Sequence, residues 1–248
     1  MRNSKVPHVT LAFWLIKIAA TTLGETGGDA LSMTLRLGYA VSSLIFIAFL
    51  VVSAAAQIRA RKFHPFLYWA VIVATTTAGT TMADFADRSL GIGYVGGSLI
   101  LFALVILVLG LWRFTIGSVA VDNISAPGVE AFYWATILFS NTLGTALGDF
   151  LADSGGLGFE GGALVFGAAL VLVAGAYYFT RISRTLLFWS AFILTRPLGA
   201  TLGDLLTKPH AMGGLHLSRI GSSSWIALFM VACILLMPQR VPAPSGRR

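Results

Sequence analysis

Hydrophobic and polar positions fall into two alternating kinds of segment along this chain. One kind is almost uniformly apolar, as from Gly97 to Trp112 and from Ala163 to Phe179, and is built mainly of Leu, Val, Ile, Ala and Phe. The other opens on an aromatic pair and then sets Thr, Gly and acidic residues at helical spacing into an apolar run, as from Tyr133 to Asp153. Each segment has the about 20 residues that an α-helix needs to cross a hydrocarbon core. The pattern predicts eight helices, at 9–30, 37–58, 66–87, 91–113, 130–152, 159–180, 185–206 and 218–237. The polar positions belong to the odd-numbered ones.

The odd helices share one internal ruler. Phe13-Trp14, Tyr68-Trp69, Tyr133-Trp134 and Phe188-Trp189 open the four copies; a glycine follows ten residues after each Trp (Gly24, Gly79, Gly144, Gly199) and an aspartate fifteen after it (Asp29, Asp84, Asp149, Asp204). Copies one and three, like copies two and four, lie 120 residues apart, so the chain reads as a duplicated duplication. The repeats cover 9–58, 66–113, 130–180 and 185–237 of a single membrane domain, 1–248. Each contains an even number of spans, so all four enter the membrane in the same direction, and their pseudo-symmetry axis runs along the membrane normal. The fold class predicted is therefore an all-α integral membrane protein of eight transmembrane helices in four parallel two-helix repeats.

Composition agrees with this pattern. Of 248 residues, 56% are hydrophobic and 11% charged, and the mean hydropathy is +0.83, whereas a soluble domain carries roughly 25% charged residues. The net charge of +7 therefore reports orientation, and no nucleic-acid partner is expected. Eleven of the 17 Lys and Arg fall at the termini and between repeats, four (Arg36, Arg88, Lys208, Arg219) on the opposite side, and Lys17 and Arg196 within spans. The positive-inside bias then puts both termini in the cytoplasm. The start, with Arg2 and Lys5 but no small-residue cleavage site, reads as a retained first span. Cys233 is alone, which excludes an intramolecular disulfide.

Eight of the ten acidic residues (Glu25, Asp29, Asp84, Asp87, Asp149, Asp153, Glu160, Asp204) lie in or just after the ruler, and only Asp122 and Glu130 fall in the middle connection. Carboxylates at membrane depth are costly and face a bundle interior or a wet cavity. Residues three, four and seven apart share a helix face, which groups Thr22, Glu25 and Asp29; Thr77, Thr80 and Asp84; and Thr142, Thr145 and Asp149. With Asn141, these oxygens suit a hard or borderline divalent cation, Mn²⁺ or Mg²⁺, or a monovalent ion or proton. The expected cation ligands are Glu25, Asp29, Asp84, Asp149 and Asp204, with Thr22, Thr77, Thr80, Asn141, Thr142 and Thr145 beside them. Arg196 and Lys17 are the expected counter-ions, and Asp87, Asp153 and Glu160 form a mouth. His210 and His216, in the last joint, and Met33 and Met82, flanking the motif, read as loop and packing positions.

These residues resemble a bacterial integral membrane protein family of four tandem repeats of unknown function, with two transmembrane segments and a Trp in each repeat. The resemblance rests on the Trp14, Trp69, Trp134 and Trp189 ruler and on Thr-Leu-Gly-Glu-Thr-Gly-Gly-Asp29 with its three echoes; copy four departs most, at Arg196-Pro197. It implies topology and transfers no activity. The resulting expectation is a transporter of a small cation, such as Mn²⁺, in the bacterial inner membrane. It requires no cofactor beyond a bound divalent cation, has lipid and the cation as partners, and is a monomer or homodimer. The alternatives are a non-transporting scaffold or sensor and a cation or proton channel. No Ser/His, His-Glu-x-x-His or Cys-based constellation argues for an enzyme.

Overall fold

The computed structural model describes residues 5–121, 124 and 126–239; Arg2, Asp122, Arg240, Arg247 and Arg248 lie outside them. Among the described residues there are eight α-helices and no strand: α1 (Leu11–Asp29), α2 (Gly38–Arg59), α3 (Pro65–Asp84), α4 (Gly93–Ile116), α5 (Pro127–Asp149), α6 (Gly158–Phe179), α7 (Arg184–Thr207) and α8 (Arg219–Leu236). Six are long and apolar enough to cross a membrane: α2, α3 with its extension to Ser89, α4, α6, α7 and α8. Helices α1 and α5 hold the densest mixtures of Thr, Gly, acidic and amide residues, which lowers their mean hydropathy.

The odd helices form a closed inner ring, α1 against α3, α3 against α5, α5 against α7, and α7 back against α1. Each even helix packs outside, against the odd helix of the following repeat: α2 on α3, α4 on α5, α6 on α7, and α8 on α1. Three of the four joints share one build. Helices α1, α3 and α5 each run on into a π-helical turn (Ala30–Thr34, Phe85–Ser89, Phe150–Ser154). A glycine with φ between +64° and +75° (Gly38, Gly93, Gly158) then starts the outer helix, a conformation that costs other residues about 1 kcal/mol or more. Outer helices keep Leu, Val, Ile and Phe exposed along their far faces, whereas inner helices are buried on nearly every side.

Two devices close the ring. Near its start, the first aromatic of each copy meets the Trp of the next: Phe13 with Trp69 at 5.5 Å, Tyr68 with Trp134 at 5.6 Å, Tyr133 with Trp189 at 6.2 Å, and Phe188 with Trp14 at 5.8 Å between ring centroids. The Tyr68 and Tyr133 hydroxyls share a 2.7 Å hydrogen bond inside this belt. Further along, each ruler glycine lies against the residue seven after the next copy's Trp: Gly24 on Thr76, Gly79 on Asn141, Gly144 on Arg196 and Gly199 on Thr21. Small residues allow backbones to approach this closely, and Thr76 and Thr21 use the proximity to donate to the Ala20 and Thr195 carbonyls, both at 3.1 Å. At the base, buried Lys5 pairs with Glu130 at 2.5 Å and donates to the Gln57 and Ile58 carbonyls, tying the start of the described chain to α2 and α5.

Candidate functional site

The ruler becomes a stack of layers inside the ring. Three residues after each Trp stand Lys17, Ile72, Ile137 and Phe192, all fully buried. The Lys17 ammonium donates to Asn141 Oδ1 at 3.3 Å and lies 4.1 Å from the centroid of the Phe192 ring. Its partners are thus an amide and an aromatic face, where a carboxylate was expected.

Above this layer is Arg196, fully buried. One Nη donates to the Thr21 carbonyl at 3.2 Å; the other reaches Glu25 Oε2 at 3.1 Å, Thr145 Oγ1 at 2.6 Å and the Thr80 hydroxyl. Arg196 thus gathers the residues eleven after Trp in copies one, two and three, one carboxylate and two hydroxyls, onto the guanidinium of copy four. Asn141 donates to Thr75 Oγ1 at 2.9 Å and is committed to the ring. Thr22, Thr77 and Thr142 each donate to a carbonyl one turn earlier in their own helix, Ile18, Val73 and Leu138 respectively, which leaves the lone pairs of each hydroxyl oxygen.

The four ruler aspartates are all buried at the next level, and they are sorted into two pairs. Arg88 joins Asp84 of its own copy at 2.8 Å to Asp149 of the next at 3.1 Å. Lys208 joins Asp204 of its own copy at 3.1 Å to Asp29 of the next at 2.8 Å. Arg219, from the start of α8, adds a contact to Asp29 at 3.5 Å. Burial alone would lower the Lys208 pKa, yet Asp204 and Asp29 facing it hold the ammonium well above the usual lysine value. Sequence reasoning counted Arg88 and Lys208 only as outward-side charges; the signal that finds them is their spacing, four residues after Asp84 and Asp204.

The two halves are unequal. Beside Asp29, Asp204 and Lys208 stands Glu25, where the related half has Thr145 beside Asp149, Asp84 and Arg88. Glu25, Asp29 and Asp204 each bring one carboxylate oxygen to within 4.8 Å of the others. Asp29 Oδ1 is buried with no hydrogen-bond partner among the described residues. Carboxylate oxygens are the ligand type that hard divalent cations take, and these three supply part of the six or more that such a cation gathers. Of the expected mouth residues, Asp153 and Glu160 are exposed, Asp153 accepting from Tyr94 at 3.1 Å. Asp87 is buried, its carboxylate resting where a side chain on residue 97 would stand, so Gly97 is required there.

Four successive stretches, 12–63, 67–117, 132–183 and 187–238, match one family model, the Repeat of Unknown Function (DUF347). The chain belongs to this repeat family. The matched stretches reproduce the four copies read from the Trp-Gly-Asp ruler, and each contains one inner and one outer helix. No curated protein and no solved structure matches the chain.

Proposed function

We propose that this repeat protein is a bacterial inner-membrane transporter of a small cation, with a divalent metal such as Mn²⁺ the leading candidate. All eight helices span the membrane in this reading, the repeat axis lies along its normal, and both termini are cytoplasmic. The observation that carries the proposal is the convergence of Glu25, Asp29 and Asp204 within an apolar bundle, with an unpartnered oxygen on Asp29. Lys208 occupies this cradle, its ammonium standing where the transported cation would bind. A carboxylate set that already holds one cation in a low-dielectric interior has the charge and the geometry to hold another, provided the lysine leaves. The other half is different: the Arg88 guanidinium spans Asp84 and Asp149 through separate nitrogens, and Thr145 stands where the cradle has Glu25, so the Asp84–Asp149 pair, with no third carboxylate, reads as the fixed half of the ring.

Purified protein in sealed liposomes tests the proposal, with Mn²⁺ on one side and a metal-quenched dye on the other. Metal-dependent quenching above protein-free vesicles supports it, and the absence of flux across a panel of Mn²⁺, Mg²⁺, Ca²⁺, Na⁺ and proton gradients would sink it. Orientation is tested by reporter fusions: a cytoplasmic reporter active within 208–216 contradicts the assigned topology.

A second reading, a non-transporting scaffold, is favoured by the pairing of each ring aspartate and of Glu25 with an internal cation. In a scaffold those pairs exist to specify the ring, and their removal harms folding before anything else.

A further inference from the structure

The joint between α7 and α8 is built unlike the other three. It has no π-helical turn, and from Lys208 to Ser218 it folds back over the end of α7. Leu215 N–H donates to the Leu205 carbonyl at 2.7 Å, Leu217 N–H to Leu206 at 2.8 Å, and His216 N–H to Lys208 at 3.0 Å. Gly214 is pressed so closely on the Lys208 carbonyl that a Cβ there could not fit. The loop is therefore pinned, and the pinning brings His210 and His216 together.

Their rings stand 5.8 Å apart between centroids, with planes at 73°, and both residues are exposed. His210 Nδ1 lies 2.9 Å from the Gly214 carbonyl. A carbonyl only accepts, so Nδ1 carries the proton and Nε2 presents its lone pair. An imidazole that donates one N–H to a backbone carbonyl while the other nitrogen faces outward is the usual arrangement of a metal-ligating histidine. His216 adopts φ +54°, a left-handed conformation that costs a non-glycine residue about 1 kcal/mol, and the fold tolerates it at the position that sets this ring beside His210. Two imidazoles bound to one ion at a metal–nitrogen distance of about 2.0–2.1 Å place their centroids roughly 4.5–5.5 Å apart, a separation that a small rotation of these exposed rings reaches.

We propose that His210 and His216 form a solvent-facing site for a borderline divalent transition-metal cation, of the Co²⁺, Ni²⁺ or Zn²⁺ kind that imidazole prefers. Water completes the coordination, which suits capture and release. This site is chemically distinct from the buried carboxylate cradle and does not depend on it. Its position two residues from Lys208 also suits hand-over, because a divalent charge held there repels the ammonium that fills the cradle; that coupling alone rests on the transport reading.

The test is Co²⁺ titration of purified, tag-free protein in nanodiscs, followed by the visible absorption of imidazole-ligated cobalt. His210→Asn retains an N–H donor for Gly214 and removes Nε2; His216→Asn removes the imidazole and keeps a residue that tolerates left-handed φ. The expected result is one imidazole-ligated Co²⁺ per chain, bound about tenfold or more weakly in either variant and unchanged in His64→Asn. Slower acylation of His210 by diethyl pyrocarbonate when Co²⁺ is present reads the same contact in the unmutated protein. The proposal is overturned if the double histidine variant binds Co²⁺ as wild type does, if His64→Asn removes the signal, or if wild type binds none and Co²⁺ gives His210 no protection.

Discussion

Arg88 and Lys208 occupy the same position of the repeat, nineteen residues after Trp69 and Trp189, and each bridges its own copy's aspartate to that of the following copy. Copies one and three carry Met33 and Asp153 at that position, so the four-fold ring of helices has only two-fold electrostatics. The 120-residue spacing in the sequence is thus visible as chemistry: two cations clamp four carboxylates in pairs, and Glu25 with Arg196 breaks even the two-fold relation.

Opening the Arg88 clamp should destabilise the bundle. Arg88→Ala leaves Asp84 and Asp149 facing each other without a cation. Breaking a buried pair costs roughly 3–5 kcal/mol, and the 31% exposure of the Arg88 side chain places the expected loss near the low end, at about 3 kcal/mol. Thermal unfolding in detergent measures it, and adding Asp149→Asn should restore part of the loss. Equal stability of the single and double variants would show that the clamp carries no coupling.

Ring closure should depend on the ruler glycines and be indifferent to glycines elsewhere. A Cβ on Gly199 would overlap the Thr21 side chain, whereas nothing lies within 4 Å of one on Gly167. Gly199→Ala is expected to cost about 1–3 kcal/mol through overpacking, and Gly167→Ala in α6 to be neutral or stabilising by about 0.5–1 kcal/mol. Unfolding midpoints of the two variants, compared under one set of detergent conditions, decide this; similar shifts would mean that close approach at Gly199 is not what holds α7 to α1.

The helices and the aspartate level were legible in the sequence because both are written as periodicity. The expected span 37–58 is Gly38–Arg59, and 185–206 is Arg184–Thr207. The span expected at 130–152 begins earlier, at Pro127, where a missing N–H costs nothing in the first turn. What periodicity could not show is which helix an outer helix packs against, since α2 adjoins both α1 and α3 in sequence and packs on α3, and α8 closes onto α1 at the far end of the chain. Spacing places Thr22, Thr77 and Thr142 on one face of their helices but does not reveal where each hydroxyl hydrogen goes, which is to a carbonyl of its own helix. Lys17 was read as a counter-ion from its depth alone, and it is the neighbouring α5 and α7 that supply Asn141 and Phe192 instead.

Removing the tethered cation should strengthen binding of a free one. Lys208→Gln takes the ammonium out of the Asp29–Asp204 pair and leaves the carboxylates, so Mn²⁺ affinity is expected to rise about tenfold or more, measured by electron paramagnetic resonance titration. Because Asp204 and Asp29 hold the Lys208 pKa well above its ordinary value, of about 10.4, the wild-type lysine stays charged up to that raised value. Its competition with Mn²⁺ should therefore not fade between about pH 6 and 9. Unchanged affinity in Lys208→Gln would mean that the ammonium and the metal do not share a site.

The final prediction separates transport from scaffolding through the inequality of the two halves. Glu25→Gln, Asp29→Asn and Asp204→Asn each keep the shape of the side chain and delete one charge of the cradle, so a hard cation loses both attraction and a ligand. Each should lower Mn²⁺ flux in liposomes by about tenfold or more while reconstituting in normal amounts. Asp153→Asn, at an exposed position outside both clamps, should do neither. Asp84→Asn and Asp149→Asn also delete one buried charge each, but from the half that has Thr145 where the cradle has Glu25 and so lacks a third carboxylate; their first effect should be on stability, with flux per folded molecule retained. A scaffold predicts another ordering: all five buried variants then fall together in abundance and stability, because each breaks one pair of the same ring. Full flux in Glu25→Gln and Asp29→Asn together would falsify the cradle outright, since two of its three carboxylates would then be dispensable.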